Sequence, residues 1–187
     1  MAPPKTQKPL PKPSHPYLER MKKMKRRDLH HFVAGFVDGE GTFTVSLTRQ
    51  TSRKYKKGWK WILNPLFQTY QHEDHIDILY LLRDYVFRTG RIHRKSSPYH
   101  VFTYTVENRT VLQEVIVPFF AKYRLATKEK DFVTWSKIIN MIYEKEHLTE
   151  KGFIKIVNLI FTMNKNGKQR KYSREYVLKT LSEQFNS

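Results

Sequence analysis

The stretch from Asp28 to Thr48 most narrows what this chain can become. A helix that starts at an Asp28 N-cap and runs to about Gly39 gathers Leu29, Phe32, Val33 and Phe36 on one side, a core face, at 100° per residue. His31, Ala34, Gly35 and Asp38 fall on the other side, which is unusually small. A glycine inside a helix costs about 1 kcal/mol relative to alanine. Close approach of a second helix is the compensation such a face allows. After Gly41 the period changes abruptly: Thr42 to Thr48 alternates polar and apolar, with Phe43, Val45 and Leu47 inward and Thr44, Ser46 and Thr48 outward, as in a half-buried strand.

The elements that follow repeat that strand chemistry. A basic loop (Arg53, Lys54, Lys56, Lys57, Gly58) leads into a second strand from about Trp59 to Gln71, antiparallel to the first, and residues 73–87 read as a helix burying Ile76, Leu79, Tyr80 and Val86. Gly90 opens a third strand with Ile92 inward and Arg91, His93 and Lys95 outward. Ser96, Ser97 and Pro98 turn it into a fourth strand ending near Val106. There Phe102, Tyr104 and Val106 make the better core face, although Val101 is apolar too. Asn108 caps a short helix to Val117 with Pro118 near its end. Helices follow at about 128–145, 150–163 and 173–185, the last two separated by an Asn166-Gly167 turn.

The order αββαββα with added C-terminal helices describes one α+β domain in which two antiparallel hairpins carry helices on one face. It divides into a basic, Pro-rich arm at 1–27, a core at 28–145 and a helical extension at 146–187. The arm cannot bury enough apolar surface to fold alone, and both ordering along a phosphate backbone and remaining a disordered leader are open to it.

Charge placement selects the partner. Of a formal +18, residues 1–27 hold nine Lys/Arg against Glu19, residues 41–72 hold six and no acid, and residues 88–106 hold Arg88, Arg91, Arg94 and Lys95 and no acid. Acid-free stretches separated by balanced ones describe a directed electropositive face, for which a polyanion is the natural partner. Nucleic acid is favoured over an anionic membrane surface, because no basic amphipathic helix is evident. The absence of cysteine excludes a disulfide scaffold, a thiol nucleophile and a cysteine zinc site. No apolar run approaches a membrane span and the first thirty residues lack a secretory segment, so a soluble intracellular protein is expected.

The segment Phe32-Val33-Ala34-Gly35-Phe36-Val37-Asp38-Gly39-Glu40-Gly41 resembles the signature of the LAGLIDADG homing endonucleases, with Phe-Val for the leading Leu and Glu for the final Asp, which keeps the carboxylate. The order of elements across about 28–145 is also similar to that family's. Thr89-Gly90-Arg91-Ile92 and Val117-Pro118-Phe119-Phe120 resemble its rRNA-intron branch. The resemblance implies an antiparallel sheet shaped as a DNA-binding saddle. It also implies an intron-encoded, site-specific double-strand endonuclease that uses a divalent metal, Mg²⁺ or Mn²⁺. A carboxylate at Glu40, emerging where two helices cross, supplies hard oxygen for such a cation and is the expected catalytic and metal-binding residue. The plainer alternative is that Glu40 merely ends a helix in a tight turn.

A single motif without an internal repeat provides one carboxylate, so a homodimer joined through Ala34, Gly35 and Asp38 is expected, on a long pseudo-palindromic duplex. The resemblance places Gln71 near the attacking water, His75 where a basic residue is common, and Lys128 as the active-site lysine, with Lys130 competing. His72 and His75 have a metal-ligand spacing but lack further ligands, and read as surface histidines. Thr44, Ser46, Thr48, Asn64, Gln68, Arg91, His93 and Lys95 are the candidate base readers, and Arg53, Lys54, Lys56 and Lys57 the candidate phosphate contacts. An ordinary polar sheet surface is the alternative for any one of them. Lys165, Lys168, Arg170, Lys171 and Arg174 either grip flanking DNA or remain solvated. Two other functions share the fold: an intron maturase that binds structured RNA, and a non-catalytic DNA-binding regulator. Retention of Glu40 favours the nuclease. The expected compartment is a bacterial cytoplasm or an organelle, mitochondrion or chloroplast.

Overall fold

A computed structural model of the chain describes residues 10–11, 16–55, 58–95, 100–164 and 170–185. Lys56, Lys57, the Ser96-Ser97-Pro98 turn, Lys165, the Asn166-Gly167 turn and Lys168 lie outside them. Helix α1 (Pro16–Lys22) precedes helix α2 (Arg26–Glu40), which runs without a loop into strand β1 (Gly41–Thr51). The end of the expected arm is therefore folded: Leu18 and Met21 of α1 are buried in the main core, and the Tyr80 hydroxyl donates to the Pro11 carbonyl at 2.6 Å.

Helix α2 begins two residues before Asp28. Lys25 occupies the N-cap position, and Asp28 sits in the first turn, where a negative charge complements the helix dipole. Its buried residues are Leu29, Val33, Ala34 and Val37, so the inward stripe is rotated from the expected one. Val37, one turn after Val33, draws the helix round. Phe32 turns outward, 44% exposed, and Ala34 turns in. Gly41 closes the helix with its N–H donating to the Val37 carbonyl. A Cβ on Gly41 would lie 2.5 Å from both Val37 O and Val37 Cγ1, so glycine is required for space, at an ordinary φ of −87°.

Strands β1, β2 (Trp59–His72), β3 (Arg91–Arg94) and β4 (Val101–Val106) form one antiparallel sheet in the order β1-β2-β4-β3. Gly41 pairs with Thr69, Ser46 with Asn64 and Thr51 with Trp59, while β4 pairs with β2 only from Phe67 to His72. The outer half of β2 therefore has one edge without a strand, and side chains close it. Gln184 Oε1 accepts from the Trp61 N–H at 2.6 Å, Arg109 donates to the Leu63 carbonyl at 2.9 Å, and Pro65, in phase with both, has no N–H to leave unpaired. Central β4 is buried on both faces, Phe102, Tyr104 and Val106 on one and Thr103 and Thr105 on the other, which explains its poor alternation in sequence.

The connection after β2 is a 3-10 turn (Glu73–His75), a short helix α3 (Asp77–Tyr80) and a π-type turn (Leu81–Val86) rather than one regular helix, and Val86 is only half-buried. Asn108 does cap the next helix, its side chain accepting from the Val111 N–H. That helix, however, passes through Pro118: α4 (Arg109–Val111), a π-type turn (Leu112–Ile116) and α5 (Val117–Lys122) are continuous. A proline ring clashes with the carbonyl four residues back in a regular helix, and the widened turn just before Pro118 relieves that clash. Helices α6 (Glu129–Tyr143), α7 (Glu150–Ile160) and α8 (Arg174–Phe185) complete the layer on the sheet.

The core lies between this layer and the inner sheet face. Phe43 is its hub, with ring centroids 5.3 Å from Phe67, 5.4 Å from Phe120, 5.3 Å from Phe132 and 5.1 Å from Trp135. It stands three residues after Glu40, so this aromatic cluster holds the helix-to-strand junction. Helix α8 holds the distal hairpin: Trp61 Nε1 donates to Thr180 Oγ1 at 3.1 Å, and Arg49 donates to the Tyr176 hydroxyl at 3.0 Å while lying 3.7 Å from the Trp59 ring centre. Among the described residues no helix is long and apolar enough to cross a membrane.

Candidate active site and nucleic-acid interface

Glu40, the last residue of α2, is exposed. Its neighbourhood is built by α6, because the Asp38 carboxylate accepts from the Thr127 N–H at 3.0 Å and the Lys128 N–H at 2.9 Å, tying the start of α6 to the end of α2. Burial pushes the Asp38 pKa up, but these backbone donors, with the Thr127 hydroxyl and the Lys128 ammonium, outweigh it and hold the carboxyl below its ordinary value. Asp38 is thus an internal tether, not an exposed interface residue. Lys128 Nζ donates to the Asp38 carbonyl and, at 2.9 Å, to the Gly39 carbonyl. A lysine on the last carbonyls of a helix satisfies groups that have no intrahelical partner. The ammonium is thereby fixed one residue from Glu40, whereas Lys130 lies on the exposed side of α6.

Gln71 and His75 meet elsewhere along α2. They line one concavity of about 440 Å³ with Arg20, Met21, Met24, Phe32, Phe36 and Ile78. Phe36 on that wall is one helical turn before Glu40. The Gln71 side-chain oxygen accepts from the His72 N–H at 2.8 Å, and His72 Nδ1 lies 3.0 Å from Asp74 Oδ2. Among the described residues no group of three or more His, Asp or Glu is placed to hold a metal ion. His72 and His75 are both exposed.

The second half of α2 leaves His31, Phe32, Gly35 and Gly39 to solvent, with Phe36 half-buried. A Cβ on Gly35 or Gly39 would meet nothing within 4 Å. Of the four residues expected on this face, His31 and Gly35 are exposed there, whereas Ala34 is buried and Asp38 is engaged with α6. Phe32, Phe36 and Gly39 were missed, although their i, i+4, i+7 spacing is legible once Val37 is counted as core.

The outer sheet face carries the expected polar residues in register. Ser46 stands opposite Asn64, Thr42 opposite Gln68, His93 opposite Thr103 and Arg91 opposite Thr105. Neighbours hold several of them: Asn64 Nδ2 donates to Thr48 Oγ1 at 2.9 Å, Gln68 donates to the Tyr70 hydroxyl, and Lys95 Nζ lies 5.1 Å from the Tyr70 ring centre. Arg91 is paired with Glu107 at 3.0 Å, an exposed contact that costs under about 1 kcal/mol to exchange for a phosphate or a base. Burial, then the Arg91 charge, lowers the His93 pKa, so its ring is neutral at pH 7 and offers one donor and one acceptor. Arg53 and Lys54 are exposed at the hairpin tip. Of the basic C-terminal residues, Arg170 is not free: it donates to the Ile160 carbonyl at 2.6 Å, and burial lowers its pKa. Arg174 donates to Asn158 at 2.9 Å.

The family model described as "LAGLIDADG endonuclease" matches residues 33–139. A "Probable intron-encoded endonuclease 3" of Neurospora crassa is 31% identical over 131 residues, 70% of this chain; the chain spans 24% of that protein's length. An archaeal intron-encoded homing endonuclease, I-Vdi141I, solved in complex with DNA, superposes with a TM-score of 0.73 at 25% identity, covering 85% of this chain and 98% of that one. I-SmaMI, solved on an uncleaved DNA target in the presence of calcium ions, superposes with a TM-score of 0.66 at 32% identity, covering 81% of this chain but 48% of that one.

Proposed function

The chain belongs to the LAGLIDADG endonuclease family, and on that footing we propose that it is an intron-encoded, site-specific endonuclease that cuts both strands of a long pseudo-palindromic DNA as a homodimer with Mg²⁺ or Mn²⁺. The observation that carries this reading is the exposed Glu40 at the end of α2 with the Lys128 ammonium held on the adjacent Asp38 and Gly39 carbonyls, beside a sheet whose outward strand residues, among those described, include no acid. The outer strand residues read bases in the major groove, with Arg53, Lys54, Lys56 and Lys57 on phosphates.

The donor set fits the metal: Mg²⁺ is held by one or two carboxylates plus substrate phosphate oxygens and keeps several waters, so a lone exposed glutamate suffices from each protomer. Bound there, such a cation supplies Lewis-acid stabilisation and an acidified water. Glu40 presents the anionic oxygen. Lys128 holds the helix end that carries Glu40 and places positive charge where the scissile phosphate gains negative charge. Gln71 and His75 orient water from the neighbouring concavity.

One protomer offers one such carboxylate, and the chain aligns with just under half of I-SmaMI. Phe32, Gly35, Phe36 and Gly39 make an apolar strip, bordered by His31 and without Cβ bulk at its glycines, that brings the two Glu40 ends together when two α2 helices cross on it. The protein acts where its DNA is, in a bacterial cytoplasm or an organelle. The test is incubation of the purified protein with a duplex spanning the intronless form of its own insertion locus. A double-strand cut that requires Mg²⁺ and is abolished by EDTA is expected. Binding of the intron RNA without any DNA cleavage would replace this reading with that of a maturase.

A further inference from the structure

Two apolar side chains of β2 stand on the polar outer face of the sheet. Ile62 and Leu66 of β2 are in phase with Asn64 and Gln68, are half-buried by neighbours on that face, and belong neither to the core nor to the partly buried hydrophobics packed on it. Register puts Leu66 opposite Thr44 and Ile62 opposite Thr48. Both are therefore enclosed by the hydroxyl and amide groups of the candidate base readers. A β-branched isoleucine suits any strand, but leucine at a half-exposed sheet position has no such backbone reason to be there.

Base edges in the major groove present hydrogen-bonding groups with a single apolar exception, the 5-methyl of thymine. We propose that Leu66 and Ile62 are specificity-determining residues that read thymine through this methyl group, an inference that rests on the DNA-binding reading above. Opposite Thr44, Leu66 lies three strand residues from Gly41, and Ile62 four further out, so Leu66 reads the position nearer the cleavage centre. At about 3.4 Å per residue and 3.4 Å per base step, the two thymines are separated by roughly four base pairs in each half-site. Removing one methyl-sized group from an apolar contact is worth about 0.8 kcal/mol, a change of roughly fourfold in affinity.

The test takes the full chain in EDTA, where it binds without cutting. A preferred duplex is selected from a randomised library and remade with deoxyuridine replacing thymidine one position at a time. Wild type is expected to lose about fourfold in affinity at one inner and one outer position. The L66A protein should lose that discrimination at the inner position alone, and I62A at the outer alone, both retaining the remaining sequence preference. Equal affinity for thymidine and deoxyuridine at every position, or discrimination that survives in both variants, overturns the proposal while leaving DNA recognition intact. Selection of no preferred duplex at all overturns the DNA-binding reading itself, and the proposal with it.

Discussion

Replacing Gly35 by leucine gives opposite results for a monomer and for a dimer built on α2. In the protomer a Cβ at Gly35 meets nothing within 4 Å, and the position is exposed. For an isolated chain the substitution therefore improves the helix by about 0.8 kcal/mol, the propensity difference between glycine and leucine. At this chain length that raises the melting temperature by about 2–3 °C. If two α2 helices cross on the Phe32-Gly35-Phe36-Gly39 face, four carbons must enter a contact that has room for none. Overpacking of that kind costs about 1–3 kcal/mol at each site, and two-fold symmetry makes it about 2–6 kcal/mol per dimer. Dimer dissociation then strengthens roughly thirtyfold to twenty-thousandfold. Sedimentation velocity over a range of protein concentrations, with thermal melts at the dilute end, separates the cases. The account predicts a Gly35→Leu protein that is monomeric at concentrations where wild type is dimeric, and that does not cleave. A variant that sediments like wild type and melts a few degrees higher at every concentration would refute the crossing.

Three further perturbations follow from the junction of α2 with its neighbours. Gly41→Ala forces a methyl to within 2.5 Å of Val37 O; a loss of about 2 kcal/mol and about 6 °C in calorimetry is expected, with a still larger loss of cleavage because Glu40 is displaced, and an unchanged melting temperature would contradict the packing described. Asp38→Asn removes the charge that accepts from the Thr127 and Lys128 N–H groups and should cost about 1–2 kcal/mol at pH 7 by urea denaturation. Because the folded carboxyl titrates below its ordinary 3.8, that contribution is full above about pH 5 and disappears as pH falls through the folded value, so the difference between variant and wild type should shrink there; a pH-independent difference would show that charge is not its source. Lys128→Met should change stability by under about 1 kcal/mol yet slow cleavage by about a hundredfold at saturating DNA, whereas full activity would remove the lysine from the site.

The helix-to-strand switch and the inward residues of the first and third strands were legible because each rests on local period, whereas the parity of β4 was not, because both its faces are buried. Nor was the rotation of α2. Leu29, Phe32, Val33 and Phe36 satisfy a helical stripe as well as Leu29, Val33, Ala34 and Val37 do, and only the packing of Val37 under Gly41 decides between them. The other choice put Ala34 and Asp38 on the outer face and kept Phe32 in the core. Pro118 misled for the opposite reason: its local signal to end a helix is genuine, but a widened turn upstream and the burial of Phe120 carry the helix to Lys122. The roles of Gln184, Arg109 and Pro65 on the open edge of β2 depend on contacts across 46 and 123 positions, which no local pattern encodes. Likewise the Pro-rich arm hid α1, because Leu18 and Met21 are too few to signal a helix until the core that receives them is known.

The most direct test of the account is cleavage by Glu40→Gln. Glu40 is exposed and lies at a helix end, so the amide keeps its size without disturbing the core. What it removes is the negative charge that a hard divalent cation requires. With the selected target duplex and Mg²⁺, single-turnover cleavage of both strands should fall by about a thousandfold or more. Affinity for the same duplex in EDTA should equal that of wild type or be slightly tighter, because the sheet supplies the contacts and one anion has gone. Cutting at the wild-type rate by the Glu40→Gln protein would contradict the assignment of the active site to the end of α2.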